Sequence, residues 1–166
     1  MTHLIRLGLA SLTAATLALT GCSLPDDPAK ASPDDGGVGA LALAAARSYE
    51  GIPFEWGGND RDGIGSSGLI ARAFADIGYD VPLGTARQFD EGTEVPVEEA
   101  RAGDLVFSQF GNSGPEHVAF VVEPGRSYYE AQQPGVPAGE HQRWADDSVV
   151  KSYGVGELER TTGSAD

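Results

Sequence analysis

Ser66, His117 and Glu130 are of types that move protons or attack carbonyl groups, and the sequence around each says how it could be held. Ser66 lies in "GIGSSGLI" (Gly63 to Ile70), shortly after a tryptophan and two glycines and just ahead of a helical pattern. Unpaired backbone N–H groups gather at such a helix start. A serine hydroxyl is not ionised by those surroundings, so it attacks only where a base removes its proton during the reaction. His117 opens the run "HVAFVV", and Glu130 lies in "SYYEAQ". If Pro124 and Gly125 are the central residues of the turn between these runs, His117 falls opposite Gln132. Glu130 is then a diagonal neighbour on the same face, at about 7–8 Å between backbones and within reach of its side chain. A carboxylate there would hold the imidazole in one tautomer, with Gln132 as the fallback orienter. The plainer alternatives stand beside this. His117 could be an ordinary strand residue near a sheet edge, and Ser66 or Ser67 could be an N-cap stabilising its helix by about 1 kcal/mol.

The elements that must position these residues follow from periodicity. "GALALAAARSYE" (Gly39 to Glu50) is rich in strong helix formers and is ended by Gly51 and Pro53. "GIPFEWGGNDRDGIG" has too much glycine and acid for regular structure and reads as a structured loop, with Phe54 and Trp56 expected to pack inward. In "SGLIARAFADI" (Ser67 to Ile77), Leu69, Ile70, Ala73, Phe74 and Ile77 share one helical face, and Gly78 closes the element. A short helix is expected over Thr85 to Glu91, with Thr85 as its cap. The period then changes: "DLVFS", "HVAFVV", "SYYEAQ" and "SVVKSY" (Ser148 to Tyr153) are short β-branched and aromatic runs separated by Gly, Pro and Asn. Helices first and strands afterwards predict an α+β domain, with helices packed on a small antiparallel sheet.

The flanks read differently. "MTHLIRLGLASLTAATLALTGC" has one basic residue, Arg6, and an apolar run from Leu7 to Leu19, the pattern of a secretion signal over residues 1–22. That run of about 13 residues falls short of the roughly 20 that span a bilayer as a helix. "SLPDDPAKASPDDGGV" (residues 23–38) cannot bury enough apolar surface to fold and reads as a flexible tether. The folded domain is expected over 39–153, and "GVGELERTTGSAD" (154–166) is expected to fray. With a formal charge of −14, about −15 once Arg6 is removed with the leader, nucleic acid is a poor partner. Repulsion from anionic lipid follows from the same charge. His141, beside Arg143 and Trp144, reads as a surface loop residue, because no second ligand lies at zinc spacing around it. Asp90, Glu91, Glu94, Glu98 and Glu99 read as a solvated acidic face.

Taken in order, "GIPFEWGG", "SSGLI", "AGDLVF", "HVAFVV" and "YYEAQ" resemble the NlpC/p60 family of bacterial cell-wall cysteine peptidases, over roughly Leu41 to Tyr153. The resemblance implies a papain-like fold and cleavage of peptide bonds in peptidoglycan stems, with no metal or other cofactor. It places the family's aspartate, cysteine, serine and glycine on Gly65, Ser66, Ser67 and Gly68, its base on His117 and its orienting residue on Glu130. The tyrosine common in the first motif is Phe54 here. Phe54, Trp56, Ser67 and Gln132 are the expected substrate contacts. "LTGC" similarly resembles the lipobox of bacterial lipoproteins, which implies lipid on Cys22 and an exported protein anchored at a membrane or envelope surface. A cysteine at a helix start waits as a thiolate, its pKa drawn down to roughly 3.5–7.5. With Ser66 in that place, the sequence points to an impaired member that binds wall stem peptides or regulates a hydrolase in partnership with another envelope protein. The alternatives are an active serine enzyme and a purely structural lipoprotein.

Overall fold

The computed structural model describes residues 37–154 and 159–160. The segment read as a secretion signal, Cys22 and the expected tether up to residue 36 lie outside the described residues. Helix α1 (Gly37–Ala46) begins two residues earlier than the composition suggests and continues as a 3₁₀ turn over Arg47–Tyr49. Gly51, at φ +81°, then reverses the chain. Helix α2 (Ser66–Asp76) buries Leu69, Ile70, Ala73 and Phe74, the stripe its spacing predicts. Helix α3 spans Thr85–Glu91 as expected, but its N-cap is Gly84 and not Thr85, and no side chain bonds to the cap.

The strands are β1 (Tyr79–Asp80), β2 (Thr93–Val95), β3 (Leu105–Gly111), β4 (Gly114–Glu123), β5 (Ser127–Glu130), β6 (Gly139–Gln142), β7 (Val149–Ser152) and β8 (Glu159–Arg160). Six form one antiparallel sheet in the order β2-β7-β3-β4-β5-β6, and β1 pairs with β8. The α+β expectation therefore holds. Two residues of the tail expected to fray, Glu159 and Arg160, pair with Asp80 and Tyr79. The acidic run divides among α3, β2 and a 3₁₀ turn, and all five of its carboxylate residues are exposed.

Alternation along the central strands makes two apolar layers. Leu105, Phe107, Val118, Phe120 and Tyr129 pack against α1 and α2, with Phe74 stacked on Phe120 at 6.0 Å. Val106, Ala119, Val121, Tyr128 and Val150 form the layer on the other face, under Val95, Val97 and Trp144. Among the described residues no helix is long and apolar enough to cross a membrane.

Candidate active site

The β4–β5 hairpin turns where the sequence places it. Arg126 N donates to Glu123 O at 2.9 Å around Pro124 and Gly125, and Gly125 has φ +72°. Those angles suit a proline followed by glycine at the turn centre. Phe120 faces Tyr129 and Val121 faces Tyr128, the expected register, after a one-residue irregularity between Val121 and Glu123 absorbs the three-residue loop. His117 and Glu130 meet as a result, with Nε2 of the imidazole 2.6 Å from Oε2 of the carboxylate. Both are closed to solvent, at 3% and 0% exposure. An ionised carboxylate only accepts hydrogen bonds, so a neutral His117 carries its proton on Nε2 and presents a bare Nδ1. Gln132 lies past the end of β5 and makes no strand pair with His117.

Ser66 is the first residue of α2, and α2 packs against β4, the strand that carries His117. The capping expectation is corrected here: the N-cap is Gly65, and no side chain bonds to the cap. The loop into this helix is closed by backbone lying on backbone. Gly65 N donates to Gly58 O at 2.9 Å, Glu55 N to Ile64 O at 3.0 Å and Ile64 N to Pro53 O at 3.0 Å. A Cβ on Gly65 would lie 2.8 Å from Glu55 O, and one on Gly68 only 2.0 Å from Gly58 O. Both positions thus need glycine for close approach.

Ser67 is held through its backbone. The fully buried Gln88 on α3 donates Nε2 to Ser67 O at 2.9 Å and to Pro82 O at 2.8 Å, and its backbone carbonyl accepts from the Tyr153 hydroxyl. Phe54 borders a small apolar hollow of about 230 Å³ with Pro53, Gly135, Val136 and Pro137. Trp56 meets Phe54 edge-on at 5.2 Å yet is 77% exposed, so it does not pack inward. The glycines that follow it bring the chain back on itself and leave the indole outside.

His141 is not in a loop. It sits on β6 opposite Tyr128, and its Nδ1 is 3.4 Å from Glu130 Oε1. Arg143 Nε is 3.5 Å from the same oxygen. These two contacts were not evident in the sequence, because "GEHQR" has no β-branched or aromatic residue to announce a strand. The usable signal was the separation of two between His141 and Arg143, the spacing that puts side chains on one face of an extended chain. On the opposite face of β5, burial pushes the Tyr129 hydroxyl up to about 12, so it stays neutral.

Residues 51–149 match the sequence profile described as the NlpC/P60 family. Peptidoglycan endopeptidase RipB of Mycobacterium tuberculosis is 30% identical over 136 residues, covering 74% of this chain and 53% of RipB. The chain spans between about a fifth and about half of the length of the first curated relatives it matches. Among solved structures, the NlpC/p60 domain of the peptidoglycan hydrolase SagA superposes with a TM-score of 0.62 at 33% identity, covering 69% of this chain and 98% of that one. RipD of Mycobacterium tuberculosis, described as a non-catalytic NlpC/p60 domain protein adapted to a peptidoglycan-binding function, shares the fold. Its TM-score is 0.58 at 24% identity, over 70% of this chain and 98% of that one.

Proposed function

Since the chain belongs to the NlpC/P60 family, we propose that it is an exported lipoprotein, anchored through Cys22, whose domain retains the stem-peptide groove of a peptidoglycan endopeptidase with Ser66 in the place of the nucleophilic cysteine. On this reading it is catalytically impaired, and it binds wall stem peptides or regulates a true hydrolase. The observation that carries the reading is the intact, buried His117–Glu130 pair on the strand against which the Ser66 helix packs. His117 is then the base and Glu130 its orienting carboxylate, and the side chain they would serve is a hydroxyl. A thiol would be ionised before substrate arrives, whereas the hydroxyl must lose its proton in the transition state itself. A site shaped for sulfur also sets the smaller oxygen back, and a misplacement of about 1 Å costs on the order of a hundredfold. Phe54 and its apolar hollow, with the exposed Trp56 beside it, supply the expected peptide contacts. RipD is a precedent for binding without catalysis in this fold.

Digestion of purified peptidoglycan, followed by mass spectrometry of the soluble fragments, tests this. Wild type is expected to release nothing and Ser66→Cys to release stem peptides, while calorimetry with purified stem peptides shows binding by wild type. Gly65 should be kept in that variant, because a side chain there meets the Glu55 backbone. A second reading is favoured by the absence of a side-chain cap at α2, which leaves the Ser66 hydroxyl free of that duty. Here Ser66 is the nucleophile, His117 the general base, and helix-start N–H groups hold the oxyanion. Release of peptides by wild type and not by Ser66→Ala would establish this second reading and overturn the first. Loss of the protein from the membrane fraction in Cys22→Ala tests the anchor.

A further inference from the structure

We propose that His141 and Arg143 are positioning residues which hold Glu130 in place and, through it, keep His117 Nδ1 free of its proton. The inference deepens the reading above and rests on His117 being the base of the site. Glu130 is a fully buried carboxylate, and a charge in that position is costly unless both its oxygens have partners. Oε2 is satisfied by His117 at 2.6 Å. Oε1 has no hydrogen bond among the described residues, nor does His141 Nδ1, although the two lie 3.4 Å apart, with Arg143 Nε at 3.5 Å on the same oxygen. These are ion-pair distances without hydrogen-bond geometry, so the contribution on this side is charge.

The Arg143 cation and its neighbour His141 are themselves braced. Arg143 lies over the Tyr128 ring at 5.6 Å, and Trp144 packs on the same ring at 5.0 Å. The Tyr128 hydroxyl accepts from Ala145 N at 3.1 Å and is 2.8 Å from Ser148 Oγ. Tyr128 is also the residue opposite His141 across the β5–β6 ladder. Glu130 therefore has the base in front of it and a fixed positive group behind it.

The consequence concerns which imidazole nitrogen holds the proton. While Glu130 is ionised it accepts from Nε2–H, and Nδ1 keeps its lone pair. Without positive charge at Oε1, a buried carboxylate is relieved of its burial cost by taking up a proton. A protonated Glu130 would donate to Nε2, moving the imidazole proton to Nδ1, the atom that has to accept one from the nucleophile.

The ¹⁵N spectrum of histidine-labelled mature chain reads this directly, since the full sequence holds only three histidines. In wild type, neutral His117 should show the Nε2–H signature. In the His141→Gln, Arg143→Gln double variant its Nδ1 signal should move from the unprotonated position toward the protonated one. Arg143→Gln alone should move it part of the way, and Arg143→Lys should restore it. An unchanged His117 signature in the folded double variant would overturn the proposal, and so would a shift that Arg143→Lys fails to rescue. If the double variant does not fold, the single variants decide by the same criterion, Arg143 being partly exposed at the rim. The spectrum is taken without substrate. A Ser66→Cys protein that fails to cut would thus count against the proposed function while leaving this result standing, and the reverse also holds.

Discussion

On the sheet, Glu130 is held by side chains, with His117 at 2.6 Å on one oxygen and His141 and Arg143 near the other. At the start of α2, Ser66 is placed by backbone alone, through a loop in which Gly65 and Gly68 touch Glu55 and Gly58 directly. The two regions thus depend on different physics. A cluster of polar and charged side chains around a buried carboxylate tolerates small changes of shape and fails when one partner is removed. Close backbone contact is indifferent to charge and fails when a single methyl group is added.

Breaking each half on its own terms sharpens this contrast. The largest loss should come from Glu130→Ala, which leaves His117 buried without its partner and is expected to cost about 3–5 kcal/mol in urea denaturation. Gly68→Ala comes next, at roughly 2–3 kcal/mol by the same measurement, because its new methyl would overlap Gly58 O and backbone must move. Gly65→Ala meets Glu55 O less severely and should cost about 1 kcal/mol. The smallest effect belongs to Ser66→Ala, within about 0.5 kcal/mol of wild type, since the hydroxyl caps nothing. A loss near 1 kcal/mol for Ser66→Ala would restore the capping role and weaken the contrast.

The sheet half was largely legible in the sequence and the loop half was not, for reasons that follow from the same contrast. Pro124 and Gly125 fix a turn, a turn fixes register, and register brings His117 to Glu130. The stripe from Leu69 to Phe74 likewise announces α2. What sequence patterns could not carry was contact between backbones. Nothing in "GIGSSG" says that Gly65 and not a serine is the cap, or that the glycines beside Trp56 fold the loop so that its indole is left in water. Short strands were hidden too. Thr93–Val95 is embedded in an acidic run and Gly139–Gln142 has no β-forming residues, so His141 and Arg143 came into view only with the fold.

The irregularity between Val121 and Glu123 takes up the odd residue of the Pro124–Arg126 loop before the register reaches Val121. In engineering terms the hairpin tip is decoupled from the His117–Glu130 contact at its base. Pro124, Gly125 and Arg126 are all exposed, and the ladder resumes its spacing within three residues of them. Exposed tips of this kind are where chains accept inserts. An affinity epitope or a fluorescent label grafted between Gly125 and Arg126 would report on the protein without disturbing the contact between imidazole and carboxylate.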